Sequence, residues 1–201
     1  MGEFALPRKS YLELKYNGFD ASDEFASESF SYTDSASGEA DTISLTVNNQ
    51  TGKWINGFMP EEGDFIDARL CVENWNGDGD NRSIACGQFE IDSFGASAYP
   101  STVSIEGISI PIRSDFNVTT KNKDFSDTTV KDILTGICRD AGIELVYEAA
   151  NYSIAETEQT GQTDMTFAFE MCQDYNLALK LYNRKMVVYD QTDYERKAAA
   201  Y

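Results

Sequence analysis

Histidine is missing from all 201 residues. That absence removes the commonest general base and the commonest metal ligand together, so Ser-His-Asp, Cys-His and His-bearing zinc sites are excluded by counting. Positive charge is scarce as well: 16 Lys and Arg stand against 34 Asp and Glu, a formal charge of −18. A surface that binds nucleic acid through its phosphates must supply cations to displace counterions, so no nucleic-acid binding is expected. Long apolar runs are lacking; Met186-Val187-Val188-Tyr189 is typical of what the chain offers. A membrane-spanning helix needs about 20 such residues, and no membrane insertion is expected. Met1 to Pro7 holds neither a basic leader nor an apolar stretch, which predicts no secretory signal and a chain that stays in the cell that makes it unless another system exports it. There is no Cys-x-x-Cys pair among Cys71, Cys86, Cys138 and Cys172. Buried, reduced thiols are the expectation, although Cys71 and Cys86 fall on two candidate strands and could face each other.

What is present is a globular composition, 41% apolar, in a length that suits two small domains. Up to Ile112 the pattern is that of strands. Leu12, Leu14 and Tyr16 alternate with polar residues, as do Phe30 with Tyr32, and Ile43 with Leu45 and Val47. A longer run carries Ile66, Ala68, Leu70 and Val72, stops at the Gly/Asn/Asp cluster of residues 74–81, and returns with Phe89 and Ile91. Those two runs predict a long hairpin. Val103 and Ile105 share one parity, whereas Ile108, Ile110 and Ile112 share the other, so a β-bulge is expected at Gly107. Bulges bend strands, and short bent strands separated by turns predict a sandwich or a small barrel over residues 1–113.

After Ser114 the period changes. Val130, Ile133, Leu134, Ile137, Cys138 and Ala141 recur at helical spacing, with Ser126 or Asp127 as the expected N-cap and Gly142 as the stop. Ile143 to Tyr147 reads as a strand and Ala149 to Gln162 as a polar loop. A second helix is predicted from Asp164 to Tyr175, buried through Met165, Ala168, Phe169, Cys172 and Tyr175. Leu177, Leu179 and Leu181 then pair with Met186 to Tyr189 across an Asn183-Arg184 turn. Residues 114–201 are therefore expected to form a small α+β domain with two helices and a hairpin.

Candidate chemistry is thin. Asn76-x-Asp78-x-Asp80 alternates oxygen ligands, but an EF-hand frame needs an acid at its twelfth position, where Ala85 or Gly87 stands. It reads as a hairpin tip. Acid groups such as Asp20, Asp23 and Glu24, or Glu61, Glu62 and Asp64, satisfy the composition of a glycosidase pair without its specificity. Trp54, Trp75 and the tyrosines supply the rings of a sugar platform, which motivates a rival reading as a carbohydrate-binding module; a cell-wall hydrolase is the enzymatic rival. No phosphate-binding glycine loop or nucleophile elbow occurs. No catalytic, cofactor or metal site is expected.

The order of motifs adds a resemblance. Phe30-Ser-Tyr-Thr-Asp34, Gly38 to Val47, Pro60-Glu-Glu-Gly-Asp64, Gly87-Gln-Phe-Glu-Ile-Asp92 and Pro100 to Ile105 resemble successive motifs of the late control gene D family of phage tail proteins. Val130 to Leu145, Gln159 to Phe167 (with Thr163 where Ser is usual) and Leu177 to Tyr189 continue it, so that it spans about Leu12 to Glu195. The resemblance implies an N-terminal tube-like β-barrel and a structural role without catalysis. The role is that of the baseplate hub of a contractile tail, similar to the upper part of type VI secretion spike proteins. It implies a trimer that adapts a hexameric tail tube to a trimeric spike, with baseplate wedge proteins as further partners. It places the protein in the virion tail, assembled in the bacterial host cytoplasm. It also implies a further β-domain beyond Glu195.

Overall fold

The computed structural model describes residues 6–23, 27–35, 37–56, 59–109 and 115–197. Two compact units divide the chain. One takes the residues up to Thr33 together with Thr42–Ile108; the other takes Asp34–Asp41 together with the chain from Ser109 onward.

The first unit is one antiparallel sheet. Its strands are β1 (Lys9–Tyr16), β2 (Phe19–Asp20), β3 (Ser27–Thr33), β4 (Thr42–Asn48), β5 (Phe65–Glu73), β6 (Arg82–Ala98) and β7 (Ser101–Ile108), and a short helix α1 (Lys53–Asn56) follows β4. The spatial order is β2-β1-β5-β6-β7-β4-β3. Inward residues from nearly every strand, among them Leu14, Ile43, Leu45, Ile66, Phe89, Ile91 and Ile105, share one buried cluster with Trp54. A flat sheet cannot do this. The rings of Tyr32 on β3 and Phe89 on β6 meet edge to face with centroids 6.0 Å apart, although three ladder steps separate those strands, about 14 Å in a flat sheet. The sheet is therefore curled around its own core. No pairing among the described residues joins β2 to β3, so the expected barrel is not closed by hydrogen bonds.

The bends arise at bulges. On β6 the register skips Cys86 opposite Ala68 and Arg69, beside Gly87 at φ +106°. It skips again at Asp92, opposite Glu106 and Gly107. The bulge expected at Gly107 thus lies on the neighbouring strand, and β7 keeps one parity through Val103, Ile105 and Gly107. Gly107 points inward, where a Cβ would lie 3.1 Å from both Phe89 and Ile43. Ile110 and Ile112, which suggested the change of phase, lie outside the described residues. β5 keeps its parity past the first bulge, since Leu70 pairs with Leu12, which packs against the core; Leu70 is nevertheless 39% exposed, while Cys71 is buried.

The second unit contains α2 (Asp115–Val118), β8 (Thr120–Thr129), α3 (Val130–Ala141), β9 (Glu144–Glu148), β10 (Ser153–Thr163), α4 (Asp164–Asp174), β11 (Leu177–Tyr182), β12 (Lys185–Asp190) and α5 (Gln191–Glu195). Among the described residues four helices stand where two were expected, α2 and α5 being short. A three-stranded sheet, β11-β12-β9, has β12 antiparallel to β11 and parallel to β9. The hairpin turns through Asn183 and Arg184 at φ +48° and +57°, a left-handed pair that suits the twist of the strands. Helix α3 buries Val130, Ile133, Leu134, Ile137 and Cys138 as predicted and stops at Gly142, φ +67°. Its N-cap is Thr129 instead of Ser126 or Asp127, because β8 runs on to Thr129. The Thr129 hydroxyl accepts from the Asp132 amide at 3.2 Å and donates to its carboxylate at 2.7 Å.

Of residues 149–162, expected as a loop, 149–152 are loop and the rest belong to β10. β10 pairs with β8 in a two-stranded ribbon, anchored by Phe125 stacked on Phe167 of α4 at 5.6 Å. The buried stripe of α4 is Asp164, Phe167, Ala168, Met171 and Cys172, so Met165, Phe169 and Tyr175 are only half-buried.

Candidate assembly surfaces

The motif Pro60-Glu-Glu-Gly-Asp64 works as a staple at the start of β5. Gly63 adopts φ +90°. The Asp64 carboxylate accepts from the Tyr16 hydroxyl, from Asn17 Nδ2 at 3.0 Å and from the Glu61 amide at 2.9 Å. Burial, reinforced by that carboxylate, pushes the Tyr16 phenol well above its usual range. The acid group is thus committed to a turn. Asp20 likewise caps Ser22 through its amide and hydroxyl, which lowers its carboxyl pKa. Glu24 lies outside the described residues.

The tip of the β5–β6 hairpin is similarly self-satisfied. Asp80 accepts from the Asn76 amide at 3.1 Å and from Arg82 Nε at 2.9 Å, and Asp78 accepts from the Leu6 amide at 2.8 Å. Among the described residues no group of three or more His, Cys, Asp or Glu is placed to hold a metal ion. The two tryptophans do not form a platform either. Trp54 is buried in the core of the sheet, and Trp75 stands at the hairpin tip with Arg8 over its ring at 5.8 Å. All four cysteines are free and buried, and burial pushes the Cys138 and Cys172 thiols up to about 12.

What the first unit leaves open is apolar surface at its turns and hydrogen-bonding capacity along its margins. Tyr99 is 95% exposed in the β6–β7 turn and Phe19, directly after the β1–β2 turn, is 78% exposed. Both turns follow the C-terminal ends of parallel-running strands, so they lie at one end of the sheet, with Trp75 at the other. Leu70 and Ile84 are cross-strand partners on β5 and β6 and both are exposed, Ile84 at 61%. Among the described residues strand β3 pairs with β4 alone, and β2 pairs with two residues of β1. Unpaired strand margins invite pairing with another chain. Trp75 is named from sequence only as a ring for a sugar platform and Leu70 only as a strand residue; Phe19, Tyr99 and Ile84 carry no mark, because alternation picks out core-facing residues and says nothing of which exposed ones meet a partner.

In the second unit the segment Asp34–Asp41 docks on the free edge of β11. The Ser37 hydroxyl and the Gly38 amide both reach the Leu179 carbonyl at 3.0 Å, the Leu179 amide returns to Ser37, and Ala40 bridges Leu181 in parallel. Ser109 bonds the Leu181 carbonyl at 3.1 Å. Lys180 bonds Asp34 and lies 3.5 Å from Asp41, which is fully buried and also accepts from the Ser35 amide. Burial works against the Lys180 ammonium, but the two carboxylates outweigh it and its pKa is raised.

A curled seven-stranded sheet followed by this helix-and-hairpin unit has clear structural counterparts. A 43 kDa tail protein of prophage MuSo2 from Shewanella oneidensis superposes with a TM-score of 0.62 at 13% identity, over 90% of this chain and 53% of its own. The fold is one shared with phage tail proteins. A tail protein from Neisseria meningitidis matches with a TM-score of 0.59 at 14% identity, over 89% of this chain and 50% of its own. An E. coli type VI secretion component, described as structurally similar to the T4 tail proteins gp27 and gp5, matches at 0.56 and 16%, over 95% and 49%. This chain spans about half the length of these structures. No family model and no curated protein matches the sequence.

Proposed function

We propose that this protein is a structural component of a phage or prophage-type contractile tail, the baseplate hub that joins the tail tube to the central spike, and not an enzyme. The observation that carries the reading is the curled sheet with two unpaired margins, followed by a helix-and-hairpin unit, in the same order as the prophage tail protein over 90% of this chain. In this reading residues 1–113 form the tube-like domain, an open barrel whose margins are covered by neighbours, and residues 114–201 form the second domain. Copies assemble as a trimer, and a second barrel-like unit, on a longer polypeptide or another chain, raises the number of similar edges to six. That arrangement matches a sixfold tube above to a threefold spike below. The tail tube, spike and baseplate wedge proteins are the partners. The late control gene D resemblance supports this assignment motif by motif, and the Gly63-Asp64 staple gives one of those motifs a physical reason.

Immunogold labelling of intact tails tests the position. Antibody against this chain is expected to mark the baseplate end only; labelling along the tube or at the head end would overturn the hub reading. Light scattering tests the missing half: this chain alone is expected to be monomeric, and a stable trimer would show that no second barrel is needed.

A further inference from the structure

We propose that the groove between β10 and α4 is a docking site for an extended segment of another protein in which apolar and basic side chains alternate, laid beside β10. The inference stands independently of the hub reading. The groove encloses about 570 Å³, and Ile154, Phe167 and Met171 give it an apolar floor. Its rim carries Glu156 and Glu158 from the strand and Glu170 and Asp174 from the helix, while no Lys or Arg lines it. Among the described residues β10 pairs only with β8, so its second edge carries no strand. A groove bounded by a strand edge and a helix takes a peptide by strand addition: the main chain supplies hydrogen bonds and alternate side chains read the floor and the rim. Alternation follows from the strand period, since every second residue faces the same way. A second copy of this chain is the wrong occupant. It brings the same carboxylates and a charge of −18 of its own.

The test uses the full chain and a fluorescent Lys-Val-Lys-Val-Lys-Val peptide, read by anisotropy at moderate salt. Binding is expected, and a Glu-Val analogue is expected not to bind. The Glu170→Lys/Asp174→Lys variant, altered at two exposed positions, should weaken binding about tenfold or more. The Asp23→Lys/Glu195→Lys variant makes the same charge change at residues that do not line the groove and should stay within about twofold. A peptide N-methylated on alternate amides should also lose about tenfold, because strand addition needs those donors. Equal losses in the two charge variants would reduce the effect to attraction by an acidic chain and overturn the proposal. An undiminished N-methylated peptide, or no binding tighter than about 1 mM, would do the same.

Discussion

A methyl group at Gly107 would press on Phe89 and Ile43 at 3.1 Å, with the Glu90 carbonyl at 3.3 Å. None of these is the loose end of a flexible side chain, so Gly107→Val is expected to destabilise the sheet by about 2 kcal/mol through overpacking. A urea titration followed by tryptophan fluorescence measures it, since Trp54 lies in the same cluster. Lys180 offers a second test. Lys180→Met removes the ammonium 3.5 Å from the buried Asp41 carboxylate and should cost about 2 kcal/mol, less than for a wholly buried pair because Lys180 is partly exposed. The lysine pKa is raised in the folded state above its ordinary 10.5. Its contribution is therefore complete below that pH and disappears as the pH climbs through the folded value. The gap in urea midpoint between wild type and Lys180→Met should be constant near neutrality and close in strongly alkaline buffer.

At the level of elements, caps give the cleanest changes. Thr129→Ala removes the acceptor for the Asp132 amide and should cost about 1 kcal/mol, read from the thermal midpoint. Thr163 caps α4 through the Thr166 amide at 3.2 Å. Thr163→Ser should be nearly neutral, because either hydroxyl fills that role. The strands of the first unit and helices α3 and α4 were legible because Leu14, Ile43, Leu45, Ile133 and Ile137 repeat at the period of the element that buries them. The β8–β10 ribbon was not. It is a polar pair that buries little beyond Phe125, Ile154 and Gln159, so hydrophobic periodicity had almost nothing to register. The cap of α3 was misplaced for the same reason, since an unseen strand occupied the residues before it. On α4, apolar residues at 165, 167, 168, 169, 171 and 172 surround most of the helix, and spacing alone could not choose between two overlapping stripes. The bulge at Asp92 was inferred one strand away because a register shift is a property of a pair, and sequence shows one member at a time.

At the level of the whole molecule, Asp34–Asp41 belongs to the second unit although the chain on both sides of it belongs to the first. A fragment ending at residue 113 keeps this segment and loses the Leu179 and Leu181 groups that hold it. Hydrogen exchange at the Gly38 and Leu179 amides should be slow in the full chain, and exchange at Gly38 should be fast in the fragment. Protection that survived the cut would show that the segment is ordered by the first sheet alone. The candidate surfaces were the least legible part of the sequence, because the exposed Phe19, Tyr99 and Ile84 carry no periodic mark that separates a contact from solvent. The threading of residues 34–41 also bears on inheritance. A genetic crossover placed in the stretch after residue 109 would deliver a second unit stripped of the piece that completes its β11 edge, and a first unit carrying a foreign insert. Exchange between related genes should therefore preserve both units as one cassette, with successful junctions falling outside the span from residue 34 to the end of β12.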